Sequence, residues 1–152
     1  VSPGVTTIPP AERLPYILTH CRTIAVVGLS PKPHRASFDV ARYMQGQGYR
    51  IIPVNPNATE VLGEKAYASL TEAAQHEHID LVNCFRNSED IPPIVAEAIA
   101  IGAKAVWMQL GIRHPAAAAQ AEAAGLLVVQ DHCLKVDHQV LQSRGLLPAH
   151  AG

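Results

Sequence analysis

Five largely apolar runs, rich in β-branched residues, recur along this chain: Thr23 to Leu29, Tyr49 to Val54, Ile79 to Phe85, Lys104 to Met108 and Leu126 to Val129. Strands buried on both faces read this way, because no alternate position has to meet water. Helical stretches separate them. Ala36 to Gln47 carries an apolar stripe of Phe38, Val40, Ala41 and Met44, with Gly46 and Gly48 to stop it. Ser88 to Ile101 reads as a helix with Ser88 as N-cap, Pro92 early, and Ile94, Val95, Ala98 and Ile101 facing inward. Pro115 to Ala124 is alanine-rich and ends at Gly125. Strands joined through helices pair in parallel, and right-handed crossovers leave few topologies. The expected fold is a Rossmann-like, doubly wound α/β domain: a mainly parallel five-stranded sheet with helices on both faces.

Outside that frame the pattern is weaker. A short helix is expected over Pro10 to Cys21, with Leu14, Ile17 and Leu18 on one face and Pro15 tolerable only in its first turn. Val61 to Leu70 is ambiguous: Gly63 to Tyr67 reads as a short extended excursion before a small helix over Thr71 to Gln75. A last helix is expected around His138 to Ser143. Residues 1–152 are read as one domain, with an arm at 1–10 and a tail at 131–152.

Composition narrows the partners. Hydrophobic residues make up 48% of the chain and charged residues only 16%, with a formal net charge of −1. No global field draws such a protein to nucleic acid or to a membrane, so any anion site must be local. No apolar run approaches the roughly 20 residues of a membrane-spanning helix. Cys21, Cys84 and Cys133 are few and widely spaced, which points to free thiols and a reducing, cytoplasmic compartment. The low charge content and the proline-rich arm are consistent with a homodimer.

Ligands of open parallel sheets sit at the carboxyl ends of the strands, and there this chain concentrates its polar and cationic residues. The first strand is followed by Gly28-Leu29-Ser30-Pro31-Lys32-Pro33-His34-Arg35-Ala36-Ser37, and the second by Asn55-Pro56-Asn57. The third gives Arg86-Asn87-Ser88, the fourth Gln109-Leu110-Gly111-Ile112-Arg113-His114, and the fifth Gln130-Asp131-His132-Cys133. Gly28 permits a tight turn and close approach of a ligand. Ser30 and Ser37 offer hydroxyls, while Lys32, His34 and Arg35 bring cationic or titratable groups to a helix N-terminus whose free N–H groups already favour an anion. A phosphate group is the expected occupant.

The dinucleotide fingerprint does not fit. Counting from Gly28, its second and third glycine positions hold Ser30 and Pro33, and the second strand ends in Val54-Asn55-Pro56 with no carboxylate for a ribose diol. An NAD(P)-dependent oxidoreductase is therefore the weaker alternative. A Walker-type Gly-Lys-Ser/Thr is absent.

Several blocks in order resemble the small stand-alone CoA-binding proteins. They are Ile24 to Pro31 with Arg35 to Ser37, Gly48-Tyr49, Ile52 to Pro56, Phe85 to Ser88, Ala103 to Gly111, and Val129 with Asp131 to Cys133. That family is related in fold to the CoA-binding domain of succinyl-CoA synthetase α subunits. The resemblance implies coenzyme A or an acyl-CoA as ligand. It sets Gly28, Ser30, Arg35 and Ser37 around the phosphates, with Lys32 in the same loop. It sets Val54, Asn55 and Pro56 near the adenine-ribose part, with Phe85, Arg86 and Gln109 bordering the cleft. The chain departs at His132, where the family commonly has arginine.

No catalytic residue is assigned. The phosphorylated histidine of the synthetases lies in a second domain, for which this chain has no room. Cys133 beside His132, or Asp131, offers a CoA-dependent enzyme as the alternative to a binding protein. Cys84 reads as core, Trp107 as core or interface, and Asp131 as a turn-forming hydrogen-bonding residue. His76 and His78, and His132, Cys133 and His138, match no closed zinc set, so no metal is expected.

Overall fold

The computed structural model describes residues 10–147. The arm expected over 1–10 lies, apart from Pro10, outside the described residues, as does the end of the tail at 148–152. The strands are β1 (Thr23–Val27), β2 (Arg50–Val54), β3 (Glu60–Val61), β4 (Glu64–Lys65), β5 (Leu81–Cys84), β6 (Ala105–Met108) and β7 (Leu127–Val129). The helices are α1 (Pro10–His20), α2 (Ala36–Gly46), α3 (Leu70–Ala74), α4 (Ile91–Ala100), α5 (Pro115–Ala123) and α6 (Leu134–Ser143).

One five-stranded sheet runs in the order β2-β1-β5-β6-β7, every pair parallel. Strand residues alternate between two cores. Ala25, Val27, Ile52, Val54, Val82, Cys84, Val106 and Met108 face α3, α4 and α5. Ile24, Val26, Ile51, Leu81, Ala105, Trp107, Leu127 and Val129 face α1, α2 and α6. Burial on both sides is why the strands read as continuous apolar runs, and the doubly wound reading holds. Pro53, which cannot donate to a ladder, is accommodated because β2 is the edge strand.

Four expectations change. Pro15 lies inside α1 rather than in its first turn. The ambiguous segment is an antiparallel hairpin, β3 with β4, turned by Leu62 at φ 56° and Gly63 at φ 78°. Positive φ at both central residues is what such a two-residue turn demands; Leu62 accepts it while packing against the core, and its carbonyl receives the Gln45 side-chain amide at 3.1 Å. Ser88 does not cap α4: Ser88–Asp90 form a 3₁₀ turn, α4 starts at Ile91, and the Ser88 hydroxyl accepts the Arg113 backbone N–H at 3.0 Å. The two prolines after Ile91 have no N–H to be capped, which removes the demand for a side-chain cap there. Finally, α6 begins at Leu134, a turn earlier than its apolar spacing alone indicates.

Candidate functional site

The direction of winding reverses between β1 and β5, so a crevice opens where their carboxyl ends diverge. Gly28 stands at that point. Its φ is +88°, and a Cβ there would lie 2.7 Å from the Phe85 carbonyl oxygen and 3.0 Å from Arg86 Cδ. Only glycine serves, both for the backbone conformation and for the contact. Its N–H donates to Val54 O at 2.9 Å, tying the turn to β2.

Beyond Gly28 the polar side chains hold the loops in shape. Ser37 is buried and its Oγ accepts the Ser30 N–H at 3.0 Å, while Ser30 Oγ accepts the Lys32 N–H at 3.1 Å. Asn55 Nδ2 donates to Leu29 O at 2.9 Å, and its Oδ1 accepts the Asn57 N–H at 2.8 Å. Gln109 is buried and its Oε1 accepts the Leu134 N–H at 3.0 Å. Asp131, in the left-handed region at φ 59°, accepts the Gly111 N–H at Oδ1. At the start of α2 no side chain caps the helix, so its first N–H groups stay open to an anion. Asp39 in the same turn is matched by Lys135 at 2.8 Å and Arg42 at 3.4 Å, and the Lys135 ammonium holds its carboxyl below the usual range.

Two cavities flank the crevice. The smaller, about 290 Å³, lies between the ends of β1 and β2 and helix α4. Of the residues expected from sequence it is lined by Gly28, Val54, Pro56 and Arg86. The larger, about 600 Å³, lies between α2, the ends of β5 and β6, and the start of α6. Phe85, Arg86 and Gln109 line it, together with Ala36 at the open end of α2. Arg86 borders both; its Nε is 3.7 Å from Asp90 Oδ2 and half of the side chain is exposed. Lys32 and Arg35 are exposed and line neither cavity, and Ser30, Ser37 and Asn55 act in the loop scaffold.

Sequence reasoning missed the α4 side of the smaller cavity, where Asp90, Pro93, Ile94 and Glu97 line up. Their spacing of three, one and three is helical; Ile94 belongs to the inward stripe read from sequence, and Asp90, Pro93 and Glu97 fall beside it. In the larger cavity it missed Leu110 and Ile112, and left Cys133, which lines it, as a candidate nucleophile. His132 Nδ1 is 2.8 Å from Asp137 Oδ2, turned toward α6. Burial pushes the Cys84 and Cys21 thiols up to about 12, so neither is a thiolate at neutral pH. Among the described residues, no group of three His, Cys, Asp or Glu is placed to hold a metal ion, and no helix is long and apolar enough to cross a membrane.

Comparison with known proteins gives three results. Residues 22–139 match the family described as a CoA binding domain. The Bacillus subtilis (strain 168) protein YneT is 42% identical over 132 residues, covering 87% of this chain and 96% of that protein. A hypothetical protein from Pyrococcus horikoshii OT3 superposes with a TM-score of 0.83 at 36% identity, covering 88% of this chain and 93% of that one. The fold alone extends to the dinucleotide-forming acetyl-coenzyme A synthetase 1 of Ca. Korarchaeum cryptofilum. There the TM-score is 0.64 at 21% identity, over 77% of this chain and 26% of that one.

Proposed function

The chain belongs to the CoA-binding domain family, and from that premise we propose that it binds coenzyme A or an acyl-CoA across the crevice at Gly28, without chemistry of its own. The observation that carries this reading is the pair of cavities meeting at Arg86 beside Gly28. Coenzyme A is elongated, with a nucleotide at one end, a thiol-bearing arm at the other and phosphates between. Two compartments joined at a half-exposed guanidinium, next to the open start of α2, suit a ligand of that form. In this reading Gly28, Ser30, Lys32, Arg35 and Ser37 make up the phosphate loop. Val54, Asn55 and Pro56 bound the nucleotide end, and Phe85, Arg86 and Gln109 border the cleft.

Binding without catalysis is supported by how the reactive groups are engaged. The Cys84 thiol is buried, Asp131 is taken up by the Gly111 N–H, and Glu97 accepts from Thr71. One observation favours a second reading, CoA-dependent catalysis: half-buried Cys133 lines the larger cavity. Free cysteines support a reducing, cytoplasmic compartment. The proposal extends to a homodimer, favoured by the low charge content and the exposed Tyr16, Val136, Val140 and Leu146; light scattering that reports a monomer removes that part.

A thermal-shift panel tests the main reading. Coenzyme A at a hundred times its Kd is expected to stabilise the fold by about 2.7 kcal/mol, while NADH, NADPH and ATP leave the midpoint unmoved. No shift with any CoA species overturns it.

A further inference from the structure

The smaller cavity pairs apolar walls with an acidic edge. Val27, Val54, Pro56, Leu70, Pro93 and Ile94 form the walls, and Asp90 and Glu97 stand at one side. Arg86 also lines this cavity and lies 3.7 Å from Asp90, offsetting that charge, so Glu97 is the carboxylate that an anionic part of a ligand would meet here. An ionised carboxylate accepts hydrogen bonds and donates none. The group that fits is therefore not an anion, is flat enough to lie between prolines and branched aliphatics, and carries a donor at its edge. An amine-bearing heteroaromatic ring meets all three conditions, whereas a flexible arm is better served by the greater volume of the larger cavity.

Glu97 is held in a fixed orientation for this. The Thr71 backbone N–H and hydroxyl both donate to Oε2, at 3.0 and 2.7 Å, which restrains the carboxylate of a residue that lines the cavity. Asp90 is tethered more loosely, by Arg86 at 3.7 Å.

We propose, resting on the CoA reading above, that Glu97 receives the exocyclic amine of the ligand's purine base, with Asp90 as a second acceptor. The smaller cavity is then the element that selects an aminopurine. Removing the amine takes away the carboxylate's hydrogen-bond partner in the complex, which is where the discrimination comes from.

The test is calorimetric titration of the full chain with coenzyme A and with an analogue whose base carries hydrogen in place of the amine. The wild type is expected to bind the analogue about tenfold more weakly, as for a hydrogen bond to a charged group. In Glu97→Leu the two ligands are expected to bind within about threefold of each other, the lost ratio being the coupling between amine and carboxylate. Equal affinities in the wild type overturn the assignment, and so does a Glu97→Leu protein that keeps the wild-type ratio. If Glu97→Leu does not fold, Glu97→Gln replaces it; its neutral acceptor should cut the ratio by about threefold, and an unchanged ratio overturns the assignment. Binding of neither ligand to the wild type is a different failure, that of the CoA reading itself.

Discussion

At the amino-terminal edge of the sheet one carboxylate gathers four partners; at the carboxyl-terminal edge four polar side chains each fasten a loop. Asp80, 5% exposed, accepts the Arg22 and Thr23 N–H groups at Oδ2, and its Oδ1 faces His78 at 2.9 Å and Lys104 at 3.6 Å. It locks the chain where β1 and β5 begin. At the opposite edge Ser37, Asn55, Gln109 and Asp131 hold neighbouring loops in place, and the room between those loops is the pair of cavities. Polar content alone therefore does not mark a site. What separates the two edges is whether the hydrogen bonds close on a single residue or brace walls around a space.

The largest effect should come from the closed edge. Asp80→Ala orphans two backbone N–H groups and is expected to lower stability by about 3 kcal/mol, read by urea unfolding, with coenzyme A affinity unchanged. A loss of affinity there would erase the distinction between the edges. The same carboxylate predicts a pH dependence. Burial alone would raise its pKa, but the Arg22 and Thr23 N–H groups, with Lys104 and His78, hold it below the ordinary 3.8. Its contribution is thus complete above that value and lost as pH falls through the lower, folded-state pKa, so Asp80→Asn should flatten part of the acid destabilisation.

Gly28→Ala comes next. The added Cβ meets the Phe85 carbonyl at 2.7 Å in a left-handed backbone, and the expected cost is about 2 kcal/mol of stability together with measurable loss of coenzyme A binding. An alanine variant of normal stability and affinity would show that the crevice is not where the ligand passes. Arg86→Ala is the mildest: the side chain is half exposed, so stability should hold while affinity falls about tenfold, measured by calorimetry.

Much of the fold was legible because it rests on long-range burial with a simple signature. Ile24 to Val27 and Ala105 to Met108 are buried throughout, and no turn chemistry is needed to see them. The hairpin at Glu60–Lys65 was not legible: its strands are two residues long, mostly charged, and its turn uses a leucine where glycine or asparagine is the usual signal. Asp80 was absorbed into a run read as strand, although β5 starts only at Leu81 and the residue before it faces backbone N–H groups. Among the residues that line the cavities, Gly28 and Arg86 were legible because turn and charge both announce themselves. Ser37 and Asn55 were found as polar residues, but their hydrogen bonds run to loop backbone, which composition cannot distinguish from ligand contact. Asp90 and Glu97 escaped because their place beside the smaller cavity appears only once α4 is set against β1 and β2.

Amide hydrogen exchange with and without coenzyme A tests the central claim most directly, since it reports both edges in one experiment. Slowed exchange is expected on residues 28–37, 86–88 and 109–112, with residues 22–23 and 78–80 changing no more than the sheet as a whole. Protection confined to the Asp80 edge, or none anywhere at saturating ligand, would contradict it.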